Sequence, residues 1–286
     1  MYAVQAHAQL IAFVSSLHSP LQIHDRRYGG TEADNFPVDQ EEYLVGAGVL
    51  ARGQQLPEAP EMLPYATIVE AEAALGRNLT FLEVVWFRYS SRMPDYLLYY
   101  HSILCIFVVF TLAPLPLALI ELGLPASISP FKIQPKVRHP PALFFHCYKE
   151  AMRTLILSVG SFQLTCYPVF KFVGIRTGLP LPSFWEAALQ LLVYFLVEDY
   201  LNYWLHRLLH TKWGYEKIHY IHHQYAAPIG LHALYAYWGD LLFPGIVAFA
   251  GPALVPCHVV ILWLFGSLLV LASIECHTGY CPHPTT

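Results

Sequence analysis

Charge is scarce in this 286-residue sequence: only 13% of its residues are Asp, Glu, Lys or Arg, and 16 basic against 20 acidic side chains leave a formal net charge of −4. No block of like charge is long enough to grip a polyanion, which excludes nucleic acid as a partner. Cysteine is sparse too. Cys105, Cys147, Cys166, Cys257, Cys276 and Cys281 are scattered, three of them in apolar runs, so they read as small hydrophobes rather than a disulfide framework. The first residues lack both the charged start and the apolar length of a signal peptide.

What is abundant is apolar surface. The hydrophobic fraction is 56%, the aromatic fraction 15% and the mean hydropathy +0.42, values foreign to a water-soluble domain. A helix needs about 20 residues to cross a hydrocarbon core, and four stretches are long enough and apolar enough to reach or cross one: residues 97–122, 154–173, 184–205 and 241–274. The expected fold is therefore all-α, an integral membrane helical bundle. Pro114 and Pro116 kink the second half of the first stretch. The last is too long for one crossing and is broken at Gly251-Pro252 and Pro256, which predicts a hairpin that dips in and returns. Lys132, Lys136, Arg138, Lys149 and Arg153 fall between the first two stretches, and Arg207, Lys212 and Lys217 follow the third; the positive-inside rule places both loops in the cytosol.

Three regions follow along the chain. Residues 1–61 mix a short apolar run, Leu10 to Val14, with Gly, Pro and charged residues, and read as a disordered leader. Residues 62–96 carry helical periodicity over VEAEAAL, a capping signal at Asn78/Thr80, and a second amphipathic helix with Trp86 and Phe87, which predicts interfacial helices. Residues 97–286 form the membrane domain.

Within that domain, residues 198–231 are exceptional. His206, His210, His219, His222 and His223 place five of the chain's 15 histidines in one short stretch. On a helix His206 and His210 share a face at i and i+4, and His219, His222 and His223 do so at i, i+3 and i+4. Gly214, after Thr211 and Lys212, offers a break that lets the second face fold back on the first. The predicted hairpin returns His277 to the same side.

Imidazole suits iron, zinc, copper and nickel, and the shortage of nearby thiolates argues against structural zinc. Asp199 and Asn202 share the face of His206 and His210 and are candidates to orient a ligand histidine from behind. His101 and His258, in apolar runs, read as buried hydrogen-bonding residues, and His232 fits either role. Membrane zinc proteases use H-E-x-x-H, where the glutamate is the base; here Arg207 follows His206 and no carboxylate lies before His210. An all-histidine site beside lipid suits iron that activates dioxygen.

H-R-L-L-H (206–210) followed by H-Y-I-H-H (219–223) resembles the first two histidine boxes of the fatty acid hydroxylase superfamily of membrane di-iron oxygenases. The run from Glu198 to His219 and A-P-I-G-L at 227–231 are similar to the sterol 4α-methyl oxidases, and residues 64–83 to the start of their plant members. The resemblance spans residues 62–280. It implies an endoplasmic reticulum multi-pass membrane protein with a cytosolic di-iron site, oxidising a sterol C4 methyl with electrons from NAD(P)H through cytochrome b5 and its reductase. Membrane lipid and other enzymes of sterol C4 demethylation are the implied partners. The implied iron ligands are His206, His210, His219, His222, His223 and His277, the last in E-C-H-T-G-Y. The wax-forming very-long-chain aldehyde decarbonylases share these boxes and supply a second reading, and a catalytically inactive membrane homologue a third. Two departures stand out. Tyr237 replaces a histidine usual in the family, and a further H-x-x-H-H expected after E-C-H-T-G-Y is not present before Thr286, so the domain reads as incomplete at its C-terminus.

Overall fold

Two capped helices open the described chain. In the computed structural model, which describes residues 65–123 and 125–281, α1 spans Ile68–Leu75 and ends at Gly76, whose φ of 66° is a left-handed turn suited to glycine. α2, Phe81–Ser90, starts at Thr80, which exchanges hydrogen bonds with Glu83 in a capping box. Of the two expected capping residues it is Thr80 that caps. Arg77 grips Glu83 with both terminal nitrogens, at 2.7 and 2.8 Å. That pair holds the Glu83 carboxyl down to about 2, because the guanidinium hydrogen-bonds its charged form. The chain divides into Met1–Glu61 and Met62–Thr286. The expected leader lies outside the described residues.

Long apolar helices follow. α3, Asp95–Leu112, and α4, Leu115–Gly123, meet at Pro114 and together make a 29-residue element apolar enough to cross a membrane. α5 (Pro141–Thr154), a π-helical turn (Leu155–Gly160), α6 (Ser161–Thr165) and α7 (Tyr167–Val173) form a third candidate crossing, bent by 53° where Cys166 precedes α7. α8 is a 26-residue helix, Phe184–Leu209, started by Ser183 capping Glu186. It corrects one expectation: residues 184–205 are long enough but not apolar enough to count as a span, because Glu198, Asp199 and Asn202 interrupt them.

The hairpin expected over residues 241–274 is present in a staggered form. α10 (Trp238–Ala248) and α11 (Ala250–Leu254) run away from the histidines, and α12 (Val259–His277), 19 residues and apolar enough to span, runs back. A Cβ on Gly251 would lie 2.9 Å from the Tyr194 backbone, so glycine lets α11 press onto α8.

The two ends of the bundle are tied differently. At one end Trp86 Nε1 donates to the Thr177 carbonyl, Tyr99 hydroxyl to Ile175, and Tyr194 hydroxyl to Val255, over a core of Leu98, Phe170 and Phe265. His258 belongs here, fully buried, capping α12 and bonded to the Gly178 carbonyl; it is the buried hydrogen-bonding residue expected from sequence. At the other end Phe110, Phe144, Ile229, Leu231 and Ile274 form a second core beneath the clustered histidines. Both α8 and α12 finish at that second end. No strand forms among the described residues, and Leu104, Leu112, Leu115 and Leu119 face outward along α3 and α4, as lipid contact requires.

Candidate metal centre

α8 delivers His206 in its last turn, and His210 is its C-cap. The chain then reverses within a few residues. Thr211 caps the single turn α9, Lys212–Gly214, by accepting the Gly214 N–H at 3.3 Å. A Cβ on Gly214 would stand 2.5 Å from the Leu208 carbonyl oxygen. Gly214 has ordinary helical φ and ψ, so glycine is needed for close approach rather than for an unusual turn. Here the break expected from sequence has its physical cause.

A π-helical turn, Tyr215–His219, continues from α9, with the Tyr220 N–H reaching back to Tyr215. The wide turn ends the helix at His219, and His222 and His223 lie on the turn that follows. The i, i+4 part of the expectation holds, with the His219 and His223 Nε2 atoms 2.9 Å apart, and the difference is confined to His222. His219 and His223 fold against His206 and His210, while His222 points toward α12.

The ligand nitrogens of His206, His210, His219 and His223 all lie within 4.8 Å of one another. Nε2 of His206 and of His210 are 3.0 Å apart, and Nε2 of His219 and of His223 are 2.9 Å apart. Beside this group, Nε2 of His222 and of His277 are 3.0 Å apart, and the His219 and His222 rings stack at 5.3 Å. All six candidate ligand histidines are thus contiguous, in a group of four and a group of two.

The residues fit a metal. Two imidazole nitrogens bound at right angles, each about 2.1 Å from one ion, sit about 3.0 Å apart. Asp240 accepts the His219 Nδ1 proton at 2.8 Å, and the Ser273 carbonyl accepts that of His277 at 2.6 Å, leaving the Nε2 lone pairs of both free to point inward. Burial pushes His222 down to about 3, aided by neighbouring His277, and lowers His223 as well, so these imidazoles are neutral at physiological pH and competent as ligands. His232 is set apart. Its Nδ1 accepts the Ile229 N–H at 2.9 Å, which puts its proton on Nε2, facing Cys147 Sγ at 3.2 Å.

Asp240 was not among the residues singled out from sequence. The available signal was a lone carboxylate opening the apolar run of α10, a placement that marks function in membrane proteins. Asp199 and Asn202 sit about two turns and one turn before His206 on α8.

The family model described as fatty acid hydroxylase matches residues 191–286. A rice protein (Oryza sativa subsp. japonica) named very-long-chain aldehyde decarbonylase GL1-10 is 60% identical over 219 residues, 77% of this chain and 73% of its own length. The chain belongs to the fatty acid hydroxylase family. Within the family, methylsterol monooxygenases 1-2 and 1-1 of Arabidopsis thaliana are 53% and 52% identical over 221 residues, 77% of this chain and 74% of theirs. No solved structure matches the chain.

Proposed function

We propose that this fatty acid hydroxylase family member is a membrane non-haem di-iron oxygenase of lipid biosynthesis acting on the C4 methyl of a sterol precursor. The observation that carries the metal centre is the convergence of four histidine nitrogens within 4.8 Å, flanked by the His222–His277 pair. His206, His210, His219 and His223 would hold one iron, and His222 and His277 would contribute to a second. Neutral nitrogen ligands leave the ions their full charge, which suits the binding and reduction of dioxygen. Asp240 orients His219, and the π-helical turn sends His222 to the second position.

The sterol reading is supported by the similarity to several plant methylsterol monooxygenases over three quarters of their length. Electrons would come from NAD(P)H through cytochrome b5 and its reductase, and the endoplasmic reticulum membrane would house the enzyme. A second reading stands on an equally specific observation, the 60% identity to the rice aldehyde decarbonylase. Detergent-purified protein is assayed for iron, then supplied with reductant, dioxygen and either a labelled 4-methylsterol or a labelled very-long-chain aldehyde. Oxidised methylsterol supports the first reading and a shortened alkane the second. Protein that binds no iron would instead be the inactive homologue, and both enzyme readings would fall.

A further inference from the structure

Three residues after His277 the chain is fastened to a distant helix. Tyr280 hydroxyl donates to Glu121 Oε2 at 2.6 Å, and Lys132 Nζ sits 2.5 Å from Glu121 Oε1 while also donating to the Val137 carbonyl at 3.0 Å. Glu121 is the one acidic residue of α4 and its side chain is only 8% exposed; Lys132 is 12% exposed. A buried carboxylate placed in an apolar element is costly unless each oxygen is satisfied, and here both are. The surroundings reinforce the contact. Lys132 and Tyr280 form an antiparallel bridge, with the Ile133 N–H on the Gly279 carbonyl at 3.0 Å and the Cys281 N–H on Phe131 at 2.8 Å.

The same turn is pinned from its other side. Gly279 has a φ of 71°, and a Cβ there would stand 2.7 Å from the Pro228 carbonyl oxygen. Pro228 follows the turn bearing His222 and His223, so the backbone carrying His277 is pressed between that loop and the residue 131–133 segment. The two contacts hold the backbone just after His277 from both sides.

We propose that Glu121, gripped by Lys132 and Tyr280, is a positioning anchor that sets the His277 ring against His222, and so controls the second metal position without touching it. The anchoring rests on the reading of His222 and His277 as ligands only for its consequence on metal; its consequence on the ring itself is independent.

Both consequences are measurable on the full chain in detergent. Tyr280→Phe removes one hydrogen bond, and Glu121→Leu with Lys132→Leu removes the ion pair without stranding a charge. Trp86→Phe, at the opposite end of the bundle, serves as the control for general loosening. Diethylpyrocarbonate modification read by mass spectrometry should be about tenfold faster at His277 in the first two proteins, the scale of losing a hydrogen bond to a carboxylate, and unchanged at His210. Cobalt(II) titration should show the second ion weakened with the first retained. Trp86→Phe should alter neither readout. Reactivity of His277 within twofold of the parent in both variants overturns the anchor. If the parent binds no cobalt, the di-iron reading fails, and the modification rates still decide the anchor by themselves.

Discussion

Asp240 Oδ1 lies 2.8 Å from His219 Nδ1, and both side chains are only 4% exposed. A carboxylate only accepts, so the imidazole proton is on Nδ1 and the Nε2 lone pair is turned toward His206, His210 and His223. Asp240→Leu should therefore weaken the first bound metal by about 10- to 100-fold, the range for losing a partner behind a metal ligand. Asp240→Asn, which still accepts through its amide oxygen, should fall between. Cobalt(II) titration with optical detection checks both, and equal affinities in all three proteins would remove Asp240 from the site.

Gly214 makes the reversal after α8 possible. Adding one methyl at 2.5 Å from a backbone carbonyl forces the backbone apart, since no flexible side chain is available to yield. Gly214→Ala should cost about 1–3 kcal/mol of stability and separate His219 and His223 from His206 and His210. Thermal unfolding and metal stoichiometry report the two effects separately.

The return of α12 predicts a sidedness. Cys276 is exposed next to His277, and Lys217 is exposed in the π-helical turn that ends at His219. In sealed microsomes a membrane-impermeant maleimide should label Cys276 and an engineered Lys217→Cys from the same face, each identified by peptide mass. Labelling of Cys276 only after detergent would place His277 across the membrane from the other histidines.

The α1–α2 pair should be acid-sensitive. The folded carboxyl of Glu83 titrates at about 2 against an ordinary 4.5, so the stabilisation from Arg77 is complete above about 4.5 and is lost as pH falls through about 2. Amide exchange over residues 68–90, corrected for intrinsic rates, should rise below pH about 4.5. Arg77→Gln should flatten that dependence.

Much of this arrangement was legible in local spacing. The Asn78/Thr80 capping signal announced α2, His206 and His210 their shared helix face, Gly214 the reversal, and Gly251-Pro252 with Pro256 the hairpin that returns His277. The illegible parts depend on contacts without a sequence period. Asp240 meets His219 across 21 residues and Tyr280 meets Glu121 across 159, separations that no local pattern encodes. The placement of His222 beyond the helix end, beside His277, follows a π-helical hydrogen bond from Tyr220 back to Tyr215, which a 3.6-residue period does not anticipate. The polar interruption of α8 was visible as Glu198, Asp199 and Asn202, but its apolar flanks concealed it.

Because α8 and α12 end where the histidines gather, the carbonyl ends of two long helices converge there. Each helix terminus carries a partial negative charge of about half an electron, felt within the last turn. A cation seated among these nitrogens experiences a field that favours its higher charge state. A redox-active ion held there would be biased toward a lower reduction potential by these backbone dipoles for as long as both helices keep their termini.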